Sequence, residues 1–120
     1  MHSEMVQLLG EFLGTFILIL LGNGVVSGVV LNKTKATGAG WVATTLGWGF
    51  AVMMGVYISG FMSPAHLNPA VTIAMAMIGS FSWSLVLPYI IAQMLGAMVA
   101  SIILYLMFYP HYAETKNPAD

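Results

Sequence analysis

The chain has no cysteine and no arginine, and only seven of its 120 side chains carry a formal charge: Glu4, Glu11, Lys33, Lys35, Glu114, Lys116 and Asp120. Each shortage excludes something. Without cysteine there is no disulfide framework and no thiolate metal site. Without arginine, and at a formal net charge of −1, there is no basic face for nucleic acid and no polybasic patch for lipid headgroups. From Ala36 to Ala113, 78 residues pass without a formal charge. A soluble domain spends about a quarter of its residues on charge, so this is the composition of an integral membrane protein in contact with the lipid bilayer. What fills the space is apolar: 59% of residues are hydrophobic, and the mean hydropathy is +0.91.

The apolar runs divide into three spans. The first, residues 8–31, is long enough to cross about 30 Å of hydrocarbon at about 1.5 Å per residue. No Lys or Arg precedes it and it exceeds a signal-peptide core, so it reads as a mature span. Gly10, Gly14, Gly24 and Gly28 form two small-x-x-x-small pairs for close helix approach, and Thr15, Asn23 and Ser27 are expected to face helices rather than lipid. A turn-rich, water-exposed connection follows at Asn32–Gly38. The second span, residues 41–60, opens on the interfacial aromatic Trp41 and is thinned by Gly47, Gly49 and Gly55. The third, residues 83–109, carries Pro88, where a mild kink is expected, and a small-residue stripe at Ala92, Gly96 and Ala100. The tail from His111 to Asp120 is polar and expected to be loose, with His2 and His111 solvated. The ten methionines show no metal-ligand spacing and read as flexible apolar filler.

Between the second and third spans lies Ser63–Thr72, Ser-Pro-Ala-His-Leu-Asn-Pro-Ala-Val-Thr, in the middle of the uncharged run. Asparagine is a favoured helix N-cap and proline a favoured first helical residue, so a helix is predicted to begin at Asn68-Pro69. Counted to Ile78 it has ten residues, about 15 Å, half a membrane thickness. Two readings fit residues 63–78. Either the segment dips into the membrane as a re-entrant loop and half-helix, or it is a plain loop before an interfacial helix. Backbone inside a bilayer is tolerated only when buried in protein or lining a watery cavity. On the first reading, a positive helix end and the Asn68 amide sit near the midplane, where broken helices build solute sites. Pro64, Ala65, His66 and Leu67 are expected to be extended, because each proline pushes the residue before it out of the helical region. A row of carbonyl acceptors ending at an amide donor suits water or a small neutral hydrogen-bonding solute, and the dipole repels a cation.

His66-Leu67-Asn68-Pro69-Ala70-Val71-Thr72 resembles the first Asn-Pro-Ala box of the aquaporins and glycerol facilitators, the major intrinsic proteins. Glu11-Phe12-Leu13-Gly14-Thr15 resembles that family's first-helix signature, and Ala92-Gln93-Met94-Leu95-Gly96-Ala97 its third-helix signature. The resemblance runs through essentially the whole chain. It implies an all-α membrane protein of three transmembrane helices plus one re-entrant half-helix. That unit is one inverted repeat of an aquaporin-like six-helix bundle, assembling as a homotetramer in the cell (plasma) membrane with one pore per subunit. It further implies that Asn68 donates to the solute, that the carbonyls of Pro64, Ala65 and His66 accept from it, and that Leu67, Pro69 and Ala70 complete the pore segment. Glu11 becomes the carboxylate bracing the loop, the alternative being an acid that snorkels to the headgroups. Gln93 is expected to make an interhelical hydrogen bond in support rather than to touch solute.

Trp48 lies twenty residues before Asn68, where the resemblance places an aromatic of the narrowest constriction. Tryptophan there implies a glycerol facilitator, with an indole wall for a carbon backbone that Val52 extends one turn on; a lipid-facing aromatic is the other reading. The implied function is passive passage of glycerol and other small neutral solutes, with a water-selective channel or a three-span scaffold without transport as alternatives. No nucleophile, acid–base pair or metal cluster predicts an enzyme, and no cofactor is called for.

Two departures stand out. Pro64 occupies a position where the family usually has glycine, and a second Asn-Pro-Ala and the family's constriction arginine are absent. A fragment ending in the loop after span three is expected, two copies pairing antiparallel being the other arrangement. Lys33 and Lys35 favour a cytoplasmic first loop by the positive-inside rule, whereas the resemblance puts that loop outside.

Overall fold

A computed structural model describes residues 2–116 as helices and connecting loops, 46 × 25 × 23 Å in extent. The elements are α1 (Glu4–Val30), α2 (Gly40–Ser59), α3 (Pro69–Met77), a single 3-10 turn (Trp83–Leu85), α4 (Val86–Met107) and α5 (Tyr109–Glu114). Among the described residues, three helical stretches are long and apolar enough to cross a bilayer: Glu4–Val30, Gly40–Ser59 and Trp83–Met107. Large apolar side chains such as Trp41, Phe61 and Ile78 point outward, as lipid-facing surface requires.

Helix α1 begins a turn earlier than its apolar run, because the Ser3 hydroxyl accepts from the Val6 N–H at 3.4 Å and Glu4 stands in the positive first turn. It forms the spine, with α2 packed along one side and α4 along another. Missing side chains set both approaches. A Cβ on Gly55 would lie 2.9 Å from the Gly14 carbonyl oxygen, so α2 crosses α1 almost backbone to backbone. A Cβ on Gly96 would run into the Phe12 carbonyl, which fixes α4 against α1 in the same way. Ala92 and Ala100 flank Gly96 and are buried with it, so the stripe in the third span is a packing face. Gly24 and Gly28 leave ordinary contact distances of 3.6 Å, and Gly49 faces open space. Thr15 and Ser27 are buried, while Asn23 is only half-buried.

Two expectations are corrected. The tail is ordered as far as Lys116: Pro110 opens α5, where its missing N–H costs nothing, and contacts with the first loop hold that helix. The Asn32 N–H donates to Thr115 Oγ1 at 2.8 Å, and His111 Nδ1 lies 3.1 Å from the Asn32 carbonyl, so His111 is engaged rather than solvated. The rest of the expected tail, residues 117–120, lies outside the described residues. Pro88, for its part, sits in the first turn of α4 directly after the 3-10 turn, so it meets no helical interior to kink.

Candidate functional site

The chain between α2 and α3 doubles back across the inner faces of α1 and α4. Its end is set by the local rule: Asn68 is extended, its Oδ1 accepts from the Ala70 N–H at 2.8 Å, and Pro69 takes the first helical position. That bond fixes the amide, leaving Nδ2 as the donating end of the side chain.

The path before Asn68 differs from the expected extended run. Ala65 and Leu67 both adopt the left-handed region, at φ 57 and 56. For residues with a side chain this costs roughly 1–2 kcal/mol each, so something must over-determine it. That something is Glu11, fully buried on α1. Its Oε1 accepts from the Leu67 N–H at 2.9 Å and from Gln93 Nε2 at 2.8 Å. Its Oε2 accepts from the Ser63 hydroxyl at 2.5 Å and from the His66 N–H at 3.2 Å. Ser63 Oγ in turn accepts from the Ala65 N–H at 3.0 Å. Left-handed residues at alternate positions turn successive N–H groups to one side, as in a backbone anion nest.

The carbonyls follow from that arrangement. A trans peptide plane holds its N–H and its C=O antiparallel. With the N–H groups of Ala65, His66 and Leu67 drawn toward Ser63 and Glu11, the carbonyls of Pro64, Ala65 and His66 point the other way. Among the described residues none of these three oxygens accepts a backbone hydrogen bond.

The outward side opens onto a groove of about 660 Å³. Its lining joins the loop residues Ala65, His66, Leu67, Asn68 and Pro69 to the apolar Trp48, Val52, Leu18 and Ile19, with Gln93 and Thr15 as further polar members. The Pro64 ring borders a separate depression with His2, Gln7 and Ser63. Ala70 is exposed on the first turn of α3, rotated off the groove by the helical step between it and Asn68. Trp48 is half-buried, and its indole lies against Gly22 of α1 so closely that any Cβ there would collide with the ring.

Sequence reasoning passed over several participants. Thr72, fully buried, has its Oγ1 3.0 Å from both Gln93 Nε2 and His66 Nδ1. Phe81 and Tyr89 enclose the His66 ring at centroid distances of 4.8 and 5.5 Å, and the Tyr89 hydroxyl donates to Gln7 Oε1 at 2.5 Å. The six-residue step from His66 to Thr72 spans the start of α3 and has no periodic signature. Gly22 carries a signal only once its partner is known. Among the described residues no cluster of metal-ligating side chains occurs.

The sequence model of the major intrinsic protein family matches residues 2–119. "Glycerol uptake facilitator protein 3" of Lactiplantibacillus plantarum is 65% identical over 111 residues, which cover 92% of this chain and 46% of that protein. "Glycerol uptake facilitator protein" of Streptococcus pneumoniae is 59% identical over 114 residues, covering 95% of this chain and 49% of the relative. Among solved structures, the X-ray structure of the aquaglyceroporin from Plasmodium falciparum superposes with a TM-score of 0.84 at 35% identity, over 97% of this chain and 47% of that one. The chain thus spans about half the length of the relatives it matches. With its buried carboxylate, its Asn-Pro-Ala half-helix and its glycine-spaced spans, this integral membrane chain belongs to the major intrinsic protein family.

Proposed function

We propose that the chain forms one half of a transmembrane channel that passes glycerol and other small neutral solutes, water among them, down their gradients. The other half supplies a second set of three spans and one half-helix. The observation that carries this reading is the mixed polar and apolar lining of the groove. Ala65, His66 and the Asn68 amide, on a loop whose N–H groups are taken up by Glu11, line one groove together with the apolar Trp48 and Val52. A polyol has the matching pattern, hydroxyls along one edge and carbon along the other. A cation meets the positive end of α3 at Asn68, which opposes its passage. Glu11 and Gln93 hold the loop, and the pore residues are Trp48, Val52 and the segment from Ala65 to Pro69. The working unit is a homotetramer of such channels in the cell membrane, and its chemistry is transport rather than catalysis.

Light scattering from liposomes carrying the full-length protein tests the reading. Glycerol and water entry is the expected result; water entry alone means a water-selective channel, and no permeability above empty liposomes leaves a scaffold without transport. Trp48→Phe should lower glycerol flux relative to water, and an unchanged ratio removes Trp48 from the constriction. The first loop is proposed to face outward, so an impermeant thiol reagent added outside should reach a cysteine placed at Thr34 and spare one placed at Ser80.

A further inference from the structure

A separate cavity of about 280 Å³ lies further along the seam between α1 and α4, at the end where α5 packs. Asn23, Val26 and Ser27 of α1, Ser101 and Leu104 of α4 and Tyr112 of α5 line it. The Ser101 hydroxyl is committed within its own helix, donating to the Ala97 carbonyl at 2.8 Å, and the Tyr112 ring stacks on Tyr105 at 5.3 Å. Asn23 is the uncommitted member. It is half-buried on a membrane-spanning helix, and its amide offers two hydrogens and one oxygen. Among the described residues that amide makes no hydrogen bond, whereas asparagine on a membrane helix characteristically pairs across to other protein segments.

Topology indicates what covers the cavity. Three crossings carry the chain from one face of the membrane to the other, so a second set of three spans starts on the far face and lies inverted. The present loop enters beside the start of α1, where a Cβ on Gly10 would meet Met62 and Ser63. An inverted loop therefore enters from the end of α1, where α5 and the Asn23 cavity lie. The lengths agree. Ile19 borders the groove together with Asn68, and Asn23 and Ser27 stand one and two turns further along α1, about 6 and 12 Å. Helix α3 has nine residues, about 14 Å. A half-helix of that length, running outward from the level of Asn68, ends level with Asn23 and Ser27. Its last four carbonyls lack partners within the helix, and inside a bilayer they need donors from protein. The need for cover is visible in α3 itself, which packs against α4 and leaves Val71, Ile73 and Met77 exposed.

We propose that the cavity at Asn23 is the docking site for the last turn of the second half's re-entrant half-helix, with the Asn23 amide donating to its free carbonyls. This rests on the two-half channel reading above. Asn23 then does for the absent loop's far end what Glu11 does for the near end of the present one: a side chain on α1 serves backbone that water cannot reach.

Solid-state NMR of the full-length protein in bilayers, with nitrogen-15 in the asparagine side chains and carbon-13 in the backbone carbonyls, tests the docking. The Asn23 signal is identified by its loss in Asn23→Leu, which keeps the bulk and deletes the amide. Asn23 Nδ2 should lie within hydrogen-bond distance of carbonyls in the second half's half-helix. Contact with lipid, added glycerol or water alone overturns the proposal, whether or not the leucine variant folds. In detergent, Asn23→Leu should lower the unfolding midpoint by roughly 2–4 °C, the shift for one lost hydrogen bond in a protein about twice this length. The ratio of glycerol to water entry into liposomes should stay the same. An unchanged midpoint overturns the proposal, and so does a changed ratio, which would make Asn23 a solute contact. A wild type that shows the Nδ2 contact but passes no glycerol overturns the channel reading and leaves the docking standing.

Discussion

The two loops on either side of α2 meet the same demand, satisfying a backbone that has left its helix, and meet it in opposite ways. The first loop distributes it. Thr34 Oγ1 donates to the Gly28 carbonyl, Thr37 Oγ1 to the Leu31 carbonyl at 2.7 Å, and the Thr34 N–H to Thr37 Oγ1 at 3.0 Å. Asn32 is tied to Thr115, and Lys33 pairs with Glu114 at 3.1 Å with both side chains largely exposed. The second loop concentrates it, with two of its N–H groups and one hydroxyl on a single buried carboxylate. Both loops contain left-handed residues with side chains, Lys33 in the first and Ala65 and Leu67 in the second. Where water can stand in for any lost partner, many small contacts suffice. Where it cannot, one acceptor must serve several donors at once, and its loss is felt by all of them together.

The largest effect is expected at Glu11. Glu11→Ala strands the His66 and Leu67 N–H groups, and at roughly 1–3 kcal/mol per unsatisfied buried donor the loss should reach several kcal/mol. Glycerol flux should drop to the level of empty liposomes, with a lowered unfolding temperature in detergent; wild-type values for both would show that the loop does not hang on this carboxylate. Next comes Asn68→Ala, which removes a cap worth about 1 kcal/mol and the amide donor together. Flux should fall several-fold at modest loss of stability, so a stability loss with full flux would separate cap from donor. Ala65→Val puts a β-branched residue at a left-handed position and should cost roughly 1–2 kcal/mol in thermal or denaturant unfolding. The smallest effect belongs to the first loop: Lys33→Ala should change stability by no more than about 0.5 kcal/mol, as exposed ion pairs do. A Lys33→Ala loss as large as that of Ala65→Val would erase the contrast between the loops.

What could be read in advance follows the same division between local and distant causes. The start of α3 was legible because Asn68 and Pro69 act on their immediate neighbours, and α2 was legible from its apolar length to within a residue at each end. The left-handed turns were not, because alanine and leucine have no preference for that region; the demand comes from Glu11, more than fifty residues earlier. The helix at Tyr109–Glu114 was missed for a similar reason, since its anchor is Asn32 on the far side of the sequence. Trp48 and Asn68 were placed on a common site by their resemblance to a family pattern, and the groove they share had no signature in composition or period. Thr72 was quoted within a motif without any role, which became visible only when His66 and Gln93 were both found within 3.0 Å of it.

The indole of Trp48 rests where Gly22 has no side chain, and the hollow is filled to contact. A residue absent from the groove's lining therefore decides how far its widest aromatic stands back from Asn68. Comparing many relatives should then show a paired history: lineages that acquire alanine at position 22 should also trade tryptophan at 48 for a smaller ring, and tryptophan should persist only over glycine. On the proposed channel reading, selectivity can drift through a position outside the groove's lining.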